Sequence, residues 1–323
     1  MNENQLSIAA VIPCYKVTKH IIGVISSIGP EVAKIYAIDD LCPHKSGDFI
    51  LKNCKDSRVE VLRNPINLGV GGAVMSGYQK AITDGHDIII KVDGDGQMDC
   101  SKIPLLIHPI SSCQADYSKG NRFFNLEHIS AMPKLRLFGN ASLSMMTKLS
   151  SGYWDLFDPT NGFTAISGKV AKQLPFNKIS SRYFFETDIL FRLNTLRAVV
   201  VDIPIDARYG EEVSNLKISK IFFEFLGKHM RNLMKRIFYN YYLRDMSLAS
   251  IELPIGLALF LFGAIYGGYH WFLSSKTGIT TPAGTVMVAA LSLLIGLQLL
   301  LAFLAYDIQS TPKRPLHQSL AEN

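Results

Sequence analysis

The 323-residue sequence predicts an α/β fold: a doubly wound, mostly parallel sheet, then amphipathic interfacial helices, then a two-helix transmembrane hairpin. Three observations predict it. Residues 1–213 alternate short β-rich apolar runs with stretches of helical periodicity. Residues 214–246 combine dense positive charge with apolar residues at helical spacing. Residues 247–306 hold two apolar runs of membrane length, and 307–323 follow as a tail.

In the first region the expected strands are Ser7–Ile12, Lys34–Ile38, Val59–Leu62, Asp87–Val92, Asp116–Lys119, Thr164–Ile166 and Val199–Ile203. The expected helices are Thr18–Ser27, Ser46–Cys54, Gly71–Thr83, Ile103–Ser111, Lys134–Ser150 and Phe185–Thr195. Strands alternating with helices imply crossover connections, helices on both faces of the sheet, and ligands received at the carboxyl ends of the strands.

In the second region, Ser214–Arg244 holds seven Lys or Arg against one acid, Glu224. That stretch accounts for the whole formal charge of +6, so the rest of the chain is near neutral. Its apolar residues, among them Ile218, Ile221, Phe225, Met230, Met234 and Phe238, fall at helical spacing, with the basic residues largely on the other face. A helix of that kind lies at the headgroup level of an anionic membrane. The third region confirms the direction: Leu253–Ser275 and Thr277–Tyr306 contain no Asp, Glu, Lys or Arg. Each holds a run (Leu253–Leu273, Ala283–Tyr306) long enough to span a hydrocarbon core of about 30 Å. The short Ser274–Pro282 loop has one Lys, whereas both outer flanks are richer in Lys and Arg. The positive-inside rule then places residues 1–213 and both termini on the cytoplasmic side of a cell membrane. The N-terminus shows no signal-peptide pattern. Five cysteines without a C-x-x-C pair argue against a disulfide scaffold or a zinc site, and 48% apolar content excludes a largely disordered chain.

Chemistry concentrates at Asp93-Gly94-Asp95-Gly-Gln97, directly after an apolar strand. Two carboxylates and an amide on alternate residues offer oxygens to one hard cation, Mg²⁺ or Mn²⁺, which also binds phosphates. An EF-hand is excluded because Pro104 stands where its twelfth-position acid would be. Asp39 and Asp40 end a second strand, and Pro13 and Tyr15 flank the end of the first. Asn67-Leu-Gly-Val-Gly71-Gly-Ala opens a helix, where glycines allow close backbone approach to a ligand. It is neither a dinucleotide fingerprint nor a Walker loop.

Taken together these segments resemble the GT-A family 2 glycosyltransferases, in particular those acting on polyprenyl phosphates. The matching pieces are Val11-Ile-Pro-Cys-Tyr15, Ala37-Ile-Asp-Asp40, Asn67–Ala73, Asp93–Gln97, Gly120-Asn-Arg122, Asp158–Phe163 and the Arg208…Ser214…Lys217 segment. The chain departs from the family pattern at Lys16-Val17, at Leu41-Cys42 and in the stretched Gly210–Lys217. The resemblance implies transfer of one sugar, with inversion, from a UDP- or GDP-linked donor to a polyprenyl phosphate. It implies donor contacts from Pro13, Tyr15, Asp39, Asp40, Asn67, Gly71, Asp93 and Gly94, and a metal held by Asp93, Asp95 and Gln97. It also implies homo-oligomers, which are common in the family.

A phosphate acceptor is largely a dianion at neutral pH and needs cations rather than a general base. Arg122, Arg136 and Arg208 are the family-matched candidates, with Lys217 as a fourth; Asp95 and the three arginines form the expected catalytic set. For Glu186 and Asp188 the sequence leaves two roles open, orienting a sugar or loop and starting a helix. Two other readings compete. A processive synthase with a hydroxyl acceptor would carry Gln-x-x-Arg-Trp, which neither Trp154 nor Trp271 belongs to. A silent nucleotide-sugar-binding scaffold would not need Asp93, Asp95 and Gln97 together. Because the positive charge abuts a membrane span, anionic lipid is the expected partner and nucleic acid is not.

Overall fold

The first strand, β1 (Ile8–Cys14), shows how the sheet is covered on both sides. Ile8, Ala10, Ile12 and Cys14 join one apolar cluster while Ala9 and Val11 join another, as the two-residue strand period requires. The structure is a computed structural model that describes residues 6–124, 134–158, 161–205 and 218–320. Six further strands follow: β2 (Lys34–Asp39), β3 (Val59–Arg63), β4 (Ile88–Lys91), β5 (Tyr117–Asn121), β6 (Thr164–Ser167) and β7 (Val200–Pro204). They form one seven-stranded sheet in the order β3-β2-β1-β4-β6-β5-β7. All pairings are parallel except those of β6, which runs antiparallel to both β4 and β5. The seven expected strands are thus all present, within two residues at each end.

Helices α1 (Ile21–Ser27), α2 (Ser46–Asn53), α3 (Val70–Thr83), α4 (Ile103–Ser111), α5 (Lys134–Ser151), a short turn α6 (Gly168–Ala171) and α7 (Phe185–Leu196) accompany the sheet, with α5 packed on α7. Ile21, Val24 and Ile25 of α1, with Ile103, Leu106 and Ile110 of α4, fill the first cluster. Val74 and Tyr78 of α3, with Ile189, Leu190 and Leu193 of α7, fill the second. The first helix starts three residues later than its periodicity predicts. His20 and Ile21 both donate their amides to the Val17 carbonyl, so residues 18–20 form a turn.

The chain divides into two compact units, Met1–Leu233 with Pro312–Asn323, and Met234–Thr311. Most of the expected 307–323 tail thus belongs to the first unit. Within the first unit, the backbone amides of Leu316 and His317 donate to the buried carboxylate of Asp116 at 2.7 and 2.8 Å. Leu316 and Leu320 pack on the second apolar cluster. Helix α8 (Ile218–Phe238) begins in the first unit and ends in the second.

The second unit continues through a π-helical turn (Tyr239–Arg244) into α9 (Leu248–Thr277) and α10 (Ala283–Gln309). Both are long and apolar enough to cross a membrane, and only 22% and 17% of their most apolar windows is buried. A soluble core helix would bury far more. The pair packs through small residues: a Cβ on Gly263 would lie 2.8 Å from the Leu293 amide, and one on Gly296 would lie 2.5 Å from the Phe260 amide. At the hairpin base Arg236 and Asp307, both nearly fully buried, form a two-pronged ion pair at 2.6 and 3.0 Å, and Tyr241 donates to the same carboxylate.

Candidate active site

The antiparallel strand shapes the centre of the site. Lys91, the last residue of β4, pairs with Thr164, the first of β6, so the segment entering β6 lies beside the segment leaving β4. The leaving segment carries Asp93, Asp95 and Gln97, all half-buried. Asp95 Oδ1 accepts the Gln97 amide at 3.0 Å across a turn in which Gly96 has φ +79°, a conformation suited to glycine. Gly94 is buried against Val17, and Gly96 faces His20, so the loop after β1 packs on this turn.

Lys91 is only 1% exposed. Its ammonium donates to Asp93 Oδ1 at 2.7 Å and to the Gly162 carbonyl at 3.2 Å, and pairs with Glu186 Oε1 at 3.4 Å. Burial pulls the lysine pKa down, but Asp93 and Glu186 outweigh it and hold the group charged. Burial pushes the Glu186 carboxyl above the ordinary range, with Lys91 opposing. Asp188, two residues and about half a turn on, faces elsewhere: it accepts from the Ser180 amide and from Asn232 Nδ2 of α8. The structure therefore separates the two acids that the sequence left together.

Arg122, just past β5, is held by Asp158. Its Nε and Nη2 donate at 2.8 and 3.1 Å to the two carboxylate oxygens, and its backbone amide donates as well. Asp158 is fully buried. Burial pushes its carboxyl up, but hydrogen bonding from Arg122 and the charge of Lys119 outweigh that and hold it below the usual carboxylate range. The ion pair is anchored from beneath rather than lying free on the surface. The Arg136 side chain, and Arg208 and Lys217, lie outside the described residues.

The donor-side candidates divide. Tyr15 is exposed, with Lys16 Nζ 5.4 Å from its ring centre, and Pro13 is half-buried. The Asp39 carboxylate accepts the amides of Cys42 and Gly47, both at 2.8 Å. Asp40 accepts from Asn64 Nδ2 and from the amides of Leu68 and Gly69, and its carbonyl accepts from Asn67 Nδ2. Gly71, expected to admit a ligand, admits the chain itself: a Cβ there would lie 2.6 Å from Phe185 Cβ and 2.7 Å from the Ser180 carbonyl. The Gly72 amide donates to the Ser181 carbonyl. The glycines thus seat the segment that delivers Glu186. Two departures from the family pattern also meet, since the Lys16 amide donates to Cys42 Sγ at 3.0 Å. Lys16, Leu41 and Lys45 in these loops all have positive φ without being glycine, a cluster of strained backbone characteristic of binding loops.

Among the described residues no three His, Cys, Asp or Glu side chains gather to hold a metal by themselves. Two carboxylates and an amide, all oxygen donors, fit a hard cation that completes its shell with water and phosphate oxygens.

The sequence signature described as Glycosyl transferase family 2 matches residues 9–174, half of the chain. The chain belongs to glycosyltransferase family 2. It is 31% identical over 154 residues to a UDP-N-acetylglucosamine–dolichyl-phosphate N-acetylglucosaminyltransferase of Methanococcus voltae, a match covering 48% of this chain and 61% of the relative. The chain thus spans about three fifths of that relative's length. It is 25% identical over 205 residues to an undecaprenyl-phosphate mannosyltransferase of Micrococcus luteus, covering 62% of this chain and 83% of the relative. Among solved structures, glucosyl-3-phosphoglycerate synthase from Mycobacterium tuberculosis, in complex with Mn²⁺, UDP and phosphoglyceric acid, superposes with a TM-score of 0.52 at 16% identity. That match covers 72% of this chain and 78% of the other, and it shows a shared GT-A fold.

Proposed function

We propose that this family 2 glycosyltransferase moves a single sugar, with inversion, from a UDP- or GDP-linked donor to a polyprenyl phosphate at the cytoplasmic membrane face. The observation that carries the reading is the pairing of two features after β4 and β5, which run in the same direction on either side of β6: an oxygen-rich Asp93–Gln97 turn and an arginine braced by a buried carboxylate. The relatives' lipid-phosphate acceptors support the acceptor class.

In this reading Asp93, Asp95 and Gln97 would hold Mg²⁺ or Mn²⁺. When bound, the cation supplies charge stabilisation to the departing nucleoside diphosphate. Tyr15 and Pro13 line the base side, and Asp39 and Asp40 shape its loops. Arg122, fixed by Asp158, would bring a guanidinium of set orientation to the acceptor phosphate, with Arg136, Arg208 and Lys217 as further cations. An acceptor oxygen forms the new bond at the anomeric carbon. The bond to the diphosphate breaks on the opposite face, and its electron pair leaves with the nucleotide. No proton is moved, so Glu186 is not needed as a base.

Membrane attachment keeps the acceptor's tail in lipid while its head reaches the site. Along α8, Phe223, Leu226, Met230, Met234 and Phe238 form an exposed apolar stripe beside the exposed Arg231 and Lys235. That composition suits an anionic headgroup layer.

The test is a panel of nucleotide-sugars with a short polyprenyl phosphate, read as nucleoside diphosphate release. At least one donor should turn over, Asp95→Ala should abolish release, and Arg122→Ala should raise the acceptor KM while sparing nucleotide binding. Nucleotide binding without turnover of any donor would overturn the reading.

A further inference from the structure

A lysine on a central strand, between Ile90 and Val92, is the residue type least expected to be buried. It persists there because its three N–H donors meet three acceptors from three separate parts of the chain: Asp93 after β4, Gly162 before β6 and Glu186 in α7. The site is closed around it. A Cβ on Gly162 would collide with Lys91 Nζ and stand 2.7 Å from Asp93 Oδ2. The Asp93 amide is fixed as well, donating to Met98 Sδ at 3.2 Å. The carboxylate of Asp93 is therefore walled by Gly162, tied at Oδ1 by Lys91 and anchored through its own backbone.

We propose that Lys91, braced by Glu186 and the Gly162 carbonyl, is a positioning residue. It locks Asp93 by engaging Oδ1 while Gly162 stands against Oδ2, so that a divalent cation meets a carboxylate of pre-set orientation. The assignment rests on the metal-dependent reading above and extends it to residues that touch neither cation nor substrate. It also accounts for Glu186. Asp93, Asp95 and Glu186 against Lys91 leave a net charge of −2, matched to a divalent cation. Without Glu186 the buried ammonium would cancel half of the charge that the two aspartates offer.

The full chain in detergent is titrated with Mn²⁺, with bound ion read by electron paramagnetic resonance and nucleoside diphosphate release measured in parallel. Lys91→Met keeps the apolar stem and removes the charge. It should weaken Mn²⁺ binding by about 10- to 100-fold, the usual cost of losing a partner that orients a metal ligand. The Mn²⁺ needed for half-maximal release should rise in step, and the donor KM at saturating Mn²⁺ should stay close to wild type. Because Lys91→Met alone deprives the partly buried Asp93 and Glu186 carboxylates of their cation, the double variant Lys91→Met/Glu186→Gln is measured too. It should regain thermal stability without regaining Mn²⁺ affinity. Recovery of both together would make Lys91 merely structural and overturn the proposal, as would unchanged Mn²⁺ binding in Lys91→Met. If wild type itself binds no Mn²⁺, the metal reading fails, and this assignment with it.

Discussion

His229 sits on α8 at 3% exposure, with Nδ1 2.8 Å from Ser150 Oγ and its ring edge-on to Phe184. Burial pushes its pKa down to about 4 from the ordinary 6.5. Between those values the unfolded chain binds a proton that the folded one does not, so stability falls as pH drops below 6.5. The loss amounts to about 2 kcal/mol at pH 5. Melting temperatures between pH 7 and pH 5 should fall more steeply for wild type than for His229→Gln; equal slopes would contradict it. The Lys91 cluster was not read from the sequence: Asp93 lies past the end of β4, and Gly162 and Glu186 arrive from 71 and 95 positions away through an antiparallel strand and a separate helix. Asp40 illustrates the opposite limit. Its place at a strand end suggests ligand contact, yet its carboxylate is spent on Asn64, Leu68 and Gly69.

Among the elements, strands and sheet-covering helices were readable because each buries a regular pattern. Helix α8 was readable only in part. Its apolar residues follow helical spacing, but burial selects His229, Asn232 and Arg236 and leaves Phe223, Met230 and Met234 at 75, 53 and 61% exposure. Periodicity reveals an apolar face without saying whether protein or lipid covers it. Replacing Met230 and Met234 by Glu should remove about 1.5–3 kcal/mol of apolar burial per fully immersed side chain. In anionic proteoliposomes, turnover of a long polyprenyl phosphate should drop several-fold, while turnover of a short acceptor in detergent holds. Equal effects on both acceptors would assign the stripe to protein contacts instead.

At the scale of the molecule, the chain leaves the first unit at Leu233 and rejoins it at Pro312. On the proposed reading, an excursion that returns to the same unit would cross a bilayer an even number of times, which two helices of membrane length satisfy. A cysteine placed at Thr280, in the loop between α9 and α10, should react with an impermeant thiol reagent on intact cells. The exposed native Cys113 should react only after permeabilisation. Reaction of both, or of neither, before permeabilisation would contradict the topology.

The clasp between Asp116 and the 316–317 amides also bears on how the protein is made. Its partners are 200 residues apart, about 10–40 s of synthesis at cellular rates. Throughout that interval Asp116 lacks the 316–317 amides and keeps only nearer partners such as the Val199 amide, and the apolar surface awaiting Leu316 and Leu320 stays open. Helices α9 and α10 must both emerge from the ribosome before the clasp can close. The first unit therefore completes its packing only after the long apolar hairpin has been delivered, an assembly order written into the connectivity of the chain.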